Sequence, residues 1–244
     1  MLKNELKDLI SNKSLLILLF FGILFLDAFG AMFPNILNRQ VTLFLPLPII
    51  FVNYLLKANR KNKWFLLSLV LNFLGIVNFN TVYETYGSLG LWFHSLAFFC
   101  YIVILVKHYS REISLKRTFV YSAVIVCLVT FFLVLYAKGI KKMLIFYDIL
   151  LYVLFVTLFV IFAVVLYETN RTKKNRFLLF SAVFIFSSTC FQGYNLFLEP
   201  SGSFLFLAII GLNLTHYFMS KFLLEKEKHF SVITNNVYRK ETHY

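Results

Sequence analysis

Apolar runs of membrane length dominate the chain, separated by short polar stretches. In order, the runs cover about 14–32, 41–57, 64–80, 89–107, 117–137, 143–167, 177–198 and 202–224. Each reaches or approaches the roughly 20 residues a helix needs to cross the hydrocarbon core. The polar residues inside them recur at helical spacing. Ser68, Asn72, Gly75 and Asn78 form one stripe on the third run, and Gly87, Gly90, His94, Ala97 and Tyr101 form one on the fourth. Ser181, Ile185, Ser188, Gln192 and Asn195 line up on the seventh, and Ile210, Asn213, Tyr217 and Ser220 on the eighth. Residues three and four apart share a helix face. The pattern predicts an all-α polytopic membrane protein, a bundle of eight transmembrane helices over residues 1–224 with a polar tail over 225–244.

Local features refine this. Leu45-Pro46-Leu47-Pro48 interrupts the second run, and two prolines there predict a kinked helix whose freed carbonyls are satisfied by neighbours. Residues 1–13 carry Lys3, Lys7 and Lys13 with Glu5 and Asp8 and read as an amphipathic lead. The run behind them is long and lacks a small-x-small cleavage site, so an uncleaved first helix is expected rather than a signal peptide. The tail reads as a frayed helix end followed by disorder.

Composition agrees with a membrane protein: 60% of the 244 residues are hydrophobic and 14% charged, whereas soluble domains are nearer half and a quarter. The net charge of +13 changes meaning once its placement is seen. Twenty of the 24 basic residues lie in one alternating set of segments: before the first run, around 57–63, 107–117 and 171–176, and after 221. The other set holds only Arg39, Lys138, Lys141 and Lys142. Lys and Arg accumulate on the cytoplasmic side, which places both termini in the cytoplasm, in a plasma membrane such as the bacterial inner membrane. Attraction to anionic lipid headgroups follows as a secondary effect. No signature of an RNA- or DNA-binding fold accompanies the charge, so a nucleic-acid partner is not expected. Cys100, Cys127 and Cys190 all sit in apolar runs; an odd number so placed argues against a disulfide framework.

Depth gives the candidate chemistry. Measured from the cytoplasmic ends at 1.5 Å per residue, Asp27, Asn78, His94, Thr189 and Gln192 all reach about 20–24 Å. An imidazole and several amides at that depth cost free energy unless they face a protein interior. The candidate cavity residues are therefore Asn72, Asn78, Tyr101, Ser188, Thr189, Gln192, Asn213 and Tyr217. His94 is the candidate acid–base group, with Asp27 a remote partner that also reads as a helix end near water. Close helix packing through small residues would produce the same stripes, so each stripe carries both readings. Asp27, His94 and Asp148 differ in depth and no ligand pair shares a helix, so neither a metal nor another cofactor is expected. The chain contains no HExxH, Gly-rich phosphate loop or ordered Ser-His-Asp set.

Four segments resemble the YhhN-like family, whose characterised members are lysoplasmalogenases. Pro46 with the following VNYLL is similar to the family's Lys-Pro-Leu segment, and LGIVNFN to its Gly-Asp-Val-Leu-Leu segment. YGSLGLWFHSLAFFCYI is similar to its Phe-x-x-Gly…Gly-His-x-x-Tyr segment. The fourth, SAVFIFSSTCF followed by LTHYFMSKFLL, is similar to its Gly-Ala-x-x-Phe-x-x-Ser-Asp and terminal Tyr-x-x-x-Gln segments. The resemblance implies eight membrane helices, cytoplasmic termini and hydrolysis of the vinyl ether bond of lysoplasmalogens. The family's two motif aspartates fall at Ile76 and Thr189, and its helix-two lysine at Leu45. Vinyl ether hydrolysis needs a proton donor and an activated water; isoleucine supplies neither, while the family histidine persists as His94.

Three functional classes follow. The leading one is a YhhN-like bundle that keeps a lipid-sized cavity but has lost or altered the hydrolase chemistry, holding membrane lipid such as a single-chain lysophospholipid or serving as the subunit of a membrane protein partner. The second is an active lysoplasmalogenase-like hydrolase using His94. The third is a transporter or membrane sensor; the chain has no visible inverted repeat and no soluble signalling domain.

Overall fold

The computed structural model describes residues 13–81, 83–107, 115–140 and 145–241, with side chains over 15–78, 88–107, 118–140 and 145–227. Eight helices occupy the described residues: α1 Lys13–Met32, α2 Pro46–Lys57, α3 Lys63–Thr81, α4 Tyr83–Val106, α5 Leu115–Ile140, α6 Phe146–Thr169, α7 Lys173–Phe197 and α8 Gly202–Glu241. The described residues contain no strand. Six helices, α1 and α4 to α8, are long and apolar enough to cross a membrane, while α2 and α3 belong to shorter apolar segments. The amphipathic lead lies outside the described residues.

Two expectations about helix ends change. Instead of kinking a longer helix, Pro46 opens α2 and Pro48 falls in its first turn, behind a 3-10 turn at Thr42–Phe44. A first-turn proline gives up an N–H that has no intrahelical partner anyway, and its fixed φ suits a helix start. At the other end of the chain α8 does not fray at 224 but runs on to Glu241. Leu, Glu and Lys follow one another there without Gly or Pro, and all three favour helix.

Consecutive contacts join α1, α2, α3 and α4; α4 then packs on α6, α6 on α7, α7 on α8, and α8 closes the ring against α1. α5 sits outside, held by α6 and α7. Cross-links identify the ends of the bundle. The Asn59 amide donates to Glu227 Oε2 at 2.8 Å, Lys173 Nζ lies 3.7 Å from Glu225, and Lys107 stands over the Trp64 ring. That end also carries Lys57, Arg60, Lys61, Lys63, Arg171, Lys174 and Arg176. Among the described side chains the opposite end carries Arg39 and Lys138. The sequence asymmetry in charge is thus an asymmetry between the two faces of one bundle.

Small residues set the helix spacing. Between α7 and α8, Ser181 Oγ donates to Thr215 O at 2.8 Å and Ser188 Oγ to Ala208 O at 2.7 Å. A side chain on Gly211 would come within 2.9 Å of the Phe184 carbonyl oxygen. Such close backbones and short interhelical bonds are how helices associate where lipid removes the hydrophobic drive. Phe98, Tyr101 and Phe159 fill the middle with ring centroids 5.6–5.8 Å apart. The outer surface is apolar, with Phe119, Phe131, Val134 and Leu18 largely exposed. In water this would be a liability; against acyl chains it is the surface a multi-pass membrane protein requires.

Candidate ligand cavity

Towards the end of the bundle away from the basic face, the helices surround a half-open cavity of about 220 Å³. Its walls come from α1, α3, α4, α5, α6, α7, α8 and the segment before α2. Apolar side chains such as Ile76, Leu91, Phe132, Val156 and Ile209 dominate, with a few polar groups among them: Asp27, Arg39, His94, Ser188, Thr189, Gln192 and Asn213. An apolar wall carrying a few placed polar groups is the usual composition of a small-molecule site.

His94 reaches the cavity because α3 gives way. A Cβ on Gly75 would lie 2.8 Å from His94 Cε1 and Nε2, so only glycine lets the ring lie flat on α3. Its Nδ1 is 2.8 Å from Asn72 Oδ1. The Asn72 amide nitrogen is committed to the Ser68 carbonyl at 3.0 Å, which turns Oδ1 towards the histidine. The bond then requires the proton on Nδ1 and leaves the Nε2 lone pair as an acceptor. Asn72 is an amide and takes no proton, so the pair fixes a tautomer without forming a charge relay.

Asp27 is not a water-facing helix end. It is 1% exposed and accepts from Arg39 Nε at 3.0 Å and from Thr42 Oγ1 at 3.4 Å. A buried carboxylate needs such a partner. Arg39 comes from the segment between α1 and α2, whose return path puts it over Gly30; a Cβ there would meet the Arg39 stem at 2.8 Å.

The structure therefore gathers Asp27, His94, Ser188, Thr189, Gln192 and Asn213 on one wall system, and places four of the candidates elsewhere. Asn72 stands behind His94, fully buried. Asn78 turns back on its own helix, donating to the Leu74 carbonyl at 2.8 Å. Tyr101 lies deeper, its hydroxyl 2.7 Å from His216 Nδ1. Tyr217 packs between α1 and α8, stacked on Phe20 at 5.4 Å. Helical phase separates one face from another but does not say which neighbour a face meets. Asp148 bonds Ser88 at 2.5 Å, away from His94, and no group of three His, Cys, Asp or Glu among the described residues is placed to hold a metal.

No family model, curated protein or solved structure matches the chain.

Several wall residues escape a reading by stripe. Tyr152 packs edge-on against His94 at 6.4 Å and its hydroxyl lies 3.4 Å from Thr189 Oγ1. Tyr136 of α5 covers Gly193 and donates to the Cys190 carbonyl at 2.9 Å. Off the wall, beside Tyr101, His216 Nε2 is buried with no hydrogen-bond partner among the described residues. Arg39 did carry a signal, as one of four basic residues on the charge-poor side and the one in the segment between the first two runs. Ile76 and Thr189 both line the cavity beside His94, so the wall next to the imidazole is uncharged.

Proposed function

We propose that this is a multi-pass membrane protein of eight spans with both termini in the cytoplasm, whose cavity holds the hydrocarbon chain of a single-chain lipid. The carrying observation is the cavity itself. At about 220 Å³ it exceeds an apolar cavity of about 150 Å³ that stays dry and takes up benzene. Its apolar lining suits methylenes, and its scale suits one chain rather than two. The gathering of Lys and Arg on one face of the bundle supports the orientation. The similarity of four motifs to the YhhN-like family is consistent with a lipid ligand, with the chemistry of that family lost where Ile76 and Thr189 stand in place of acids.

A hydrolase reading has one observation in its favour, the accessible acceptor on His94. No carboxylate among the described residues bonds that ring, and Asp27 is engaged by Arg39. Binding is therefore the better-supported reading. The test is mass spectrometry of lipids retained by the purified protein, together with aldehyde release from lysoplasmalogen. Co-purifying single-chain lipid without turnover is the expected result. Turnover abolished in His94→Ala would favour the hydrolase, and a protein that retains no single-chain lipid and takes none up would end the binding reading.

A further inference from the structure

We infer that Arg39 is the headgroup contact of this cavity and that the ligand is a single-chain amphiphile with an acidic head, a carboxylate or a phosphate monoester. This deepens the chain-binding reading and rests on it. Among the described residues Arg39 is the one cation on the cavity wall. A guanidinium has five N–H donors in a rigid fork, and Arg39 uses its Nε–H on Asp27 Oδ1. Its two Nη groups meet no partner among the described residues. Those are the groups that pair two-for-two with a carboxylate or phosphate.

The ion pair is also lopsided. The Asp27 side chain is 1% exposed and that of Arg39 22%. Both line the cavity, but the guanidinium is the more open of the two, and the carboxylate is occupied by Arg39 Nε and Thr42 Oγ1. Three further contacts fix the arm before any ligand arrives: the stem lies over Gly30, the Leu43 amide donates to the Arg39 carbonyl at 3.0 Å, and the single proton of Thr42 Oγ1 is within reach of either Asp27 Oδ1 at 3.4 Å or that carbonyl at 3.3 Å. A donor fork held in place loses little freedom on binding. The charge sits where the chain returns from α1 to α2, and the apolar wall extends from it to α5 and α6. This is the polarity of an acid head with its tail inward.

Cys190 lies on the cavity wall and Cys127 is exposed on the outer face of α5, so the protein carries its own probe and control. The experiment measures protection of Cys190 from a thiol reagent by hexadecanoate, hexadecyl phosphate and hexadecan-1-ol in nanodiscs, with Cys127 as reference. The acids are expected to protect at concentrations at least tenfold below the alcohol. Arg39→Gln should erase that difference while leaving protection by the alcohol, and Arg39→Lys should keep part of it. Gly30→Ala, which pushes on the Arg39 stem without touching its charge, should weaken protection by the acids. Whichever acid protects at the lower concentration names the source, fatty acid or alkyl phosphate. Equal protection by acids and alcohol in the native protein would overturn the acidic head and leave the chain-binding reading standing. If none of the three protects Cys190, both fall. The native ligand series decides this even if a variant fails to fold.

Discussion

Replacing Gly75 with alanine tests whether the α3–α4 contact is built around His94. The new Cβ would fall 2.8–2.9 Å from three atoms of the imidazole, so the ring must move. It is tied by the 2.8 Å bond to Asn72, whose side chain is fully buried and has no other way to satisfy Oδ1. Forcing a methyl into a filled contact costs about 1–3 kcal/mol, and an orphaned buried acceptor about 1–3 kcal/mol more. The helix preference of alanine over glycine returns about 1 kcal/mol, and His94 can yield partly into the cavity. A net loss of about 2–3 kcal/mol is expected, roughly a 30- to 150-fold change in the folding equilibrium. Gly22 is the control, because a Cβ there meets nothing within 4 Å; Gly22→Ala should be neutral or stabilising. Reversible unfolding in mixed micelles, followed by helix circular dichroism, gives both values. A double-mutant cycle with His94→Ala should recover most of the Gly75→Ala penalty, since the ring is what the methyl strikes. Equal stability of the two alanine variants, or a penalty unchanged once the imidazole is gone, would refute the account.

Other outcomes follow from single contacts. Ser181→Ala and Ser188→Ala each remove one α7–α8 hydrogen bond and should cost about 0.5–1 kcal/mol, whereas Ser220→Ala should cost nothing measurable, because its Oγ is buried without a hydrogen-bond partner among the described residues; the same unfolding assay compares them. Gly193→Ala would place a methyl 2.6 Å from the Tyr136 ring and should loosen α5, read as faster thiol labelling of Cys190, while Tyr136→Phe should give a smaller change in the same direction. Single cysteines introduced at Gln40 and Asn59 in a background freed of native cysteines should label from opposite sides of intact cells, Gln40 from outside. Labelling of both from one side would overturn the orientation.

What could be read from the chain followed from its periods. Stripe spacing anticipates the burial of Ser68, Asn72 and Gly75 on α3 and of Ser181 and Ser188 on α7, because a fixed rotation per residue decides which face is shared. It fails where a partner must be named. Asn78 continues the α3 stripe by phase but satisfies itself on its own helix, and Tyr101 belongs with His216 rather than with the cavity. The largest gap is the stretch from 33 to 45. No periodicity announces that it folds back against α1, so Arg39 entered only the count of charges and Asp27 read as a helix end. Proline showed a similar limit: Pro46 and Pro48 declare a break in any helix, and whether the break is a kink or a beginning depends on where the backbone upstream has gone.

The shortness of α2 has a consequence for the surrounding lipid. Its 12 residues span about 18 Å, whereas the 24 residues of α6 span about 36 Å, on either side of a hydrocarbon core about 30 Å thick. The apolar belt of the protein is therefore stepped, low beside α2 and tall across the ring. Lipids next to the low step must shorten or tilt, at a fraction of a kcal/mol per ångström of mismatch. A bilayer around this bundle would thin beside α2 and bring water and headgroups closer to the segment between α1 and α2 that carries Arg39.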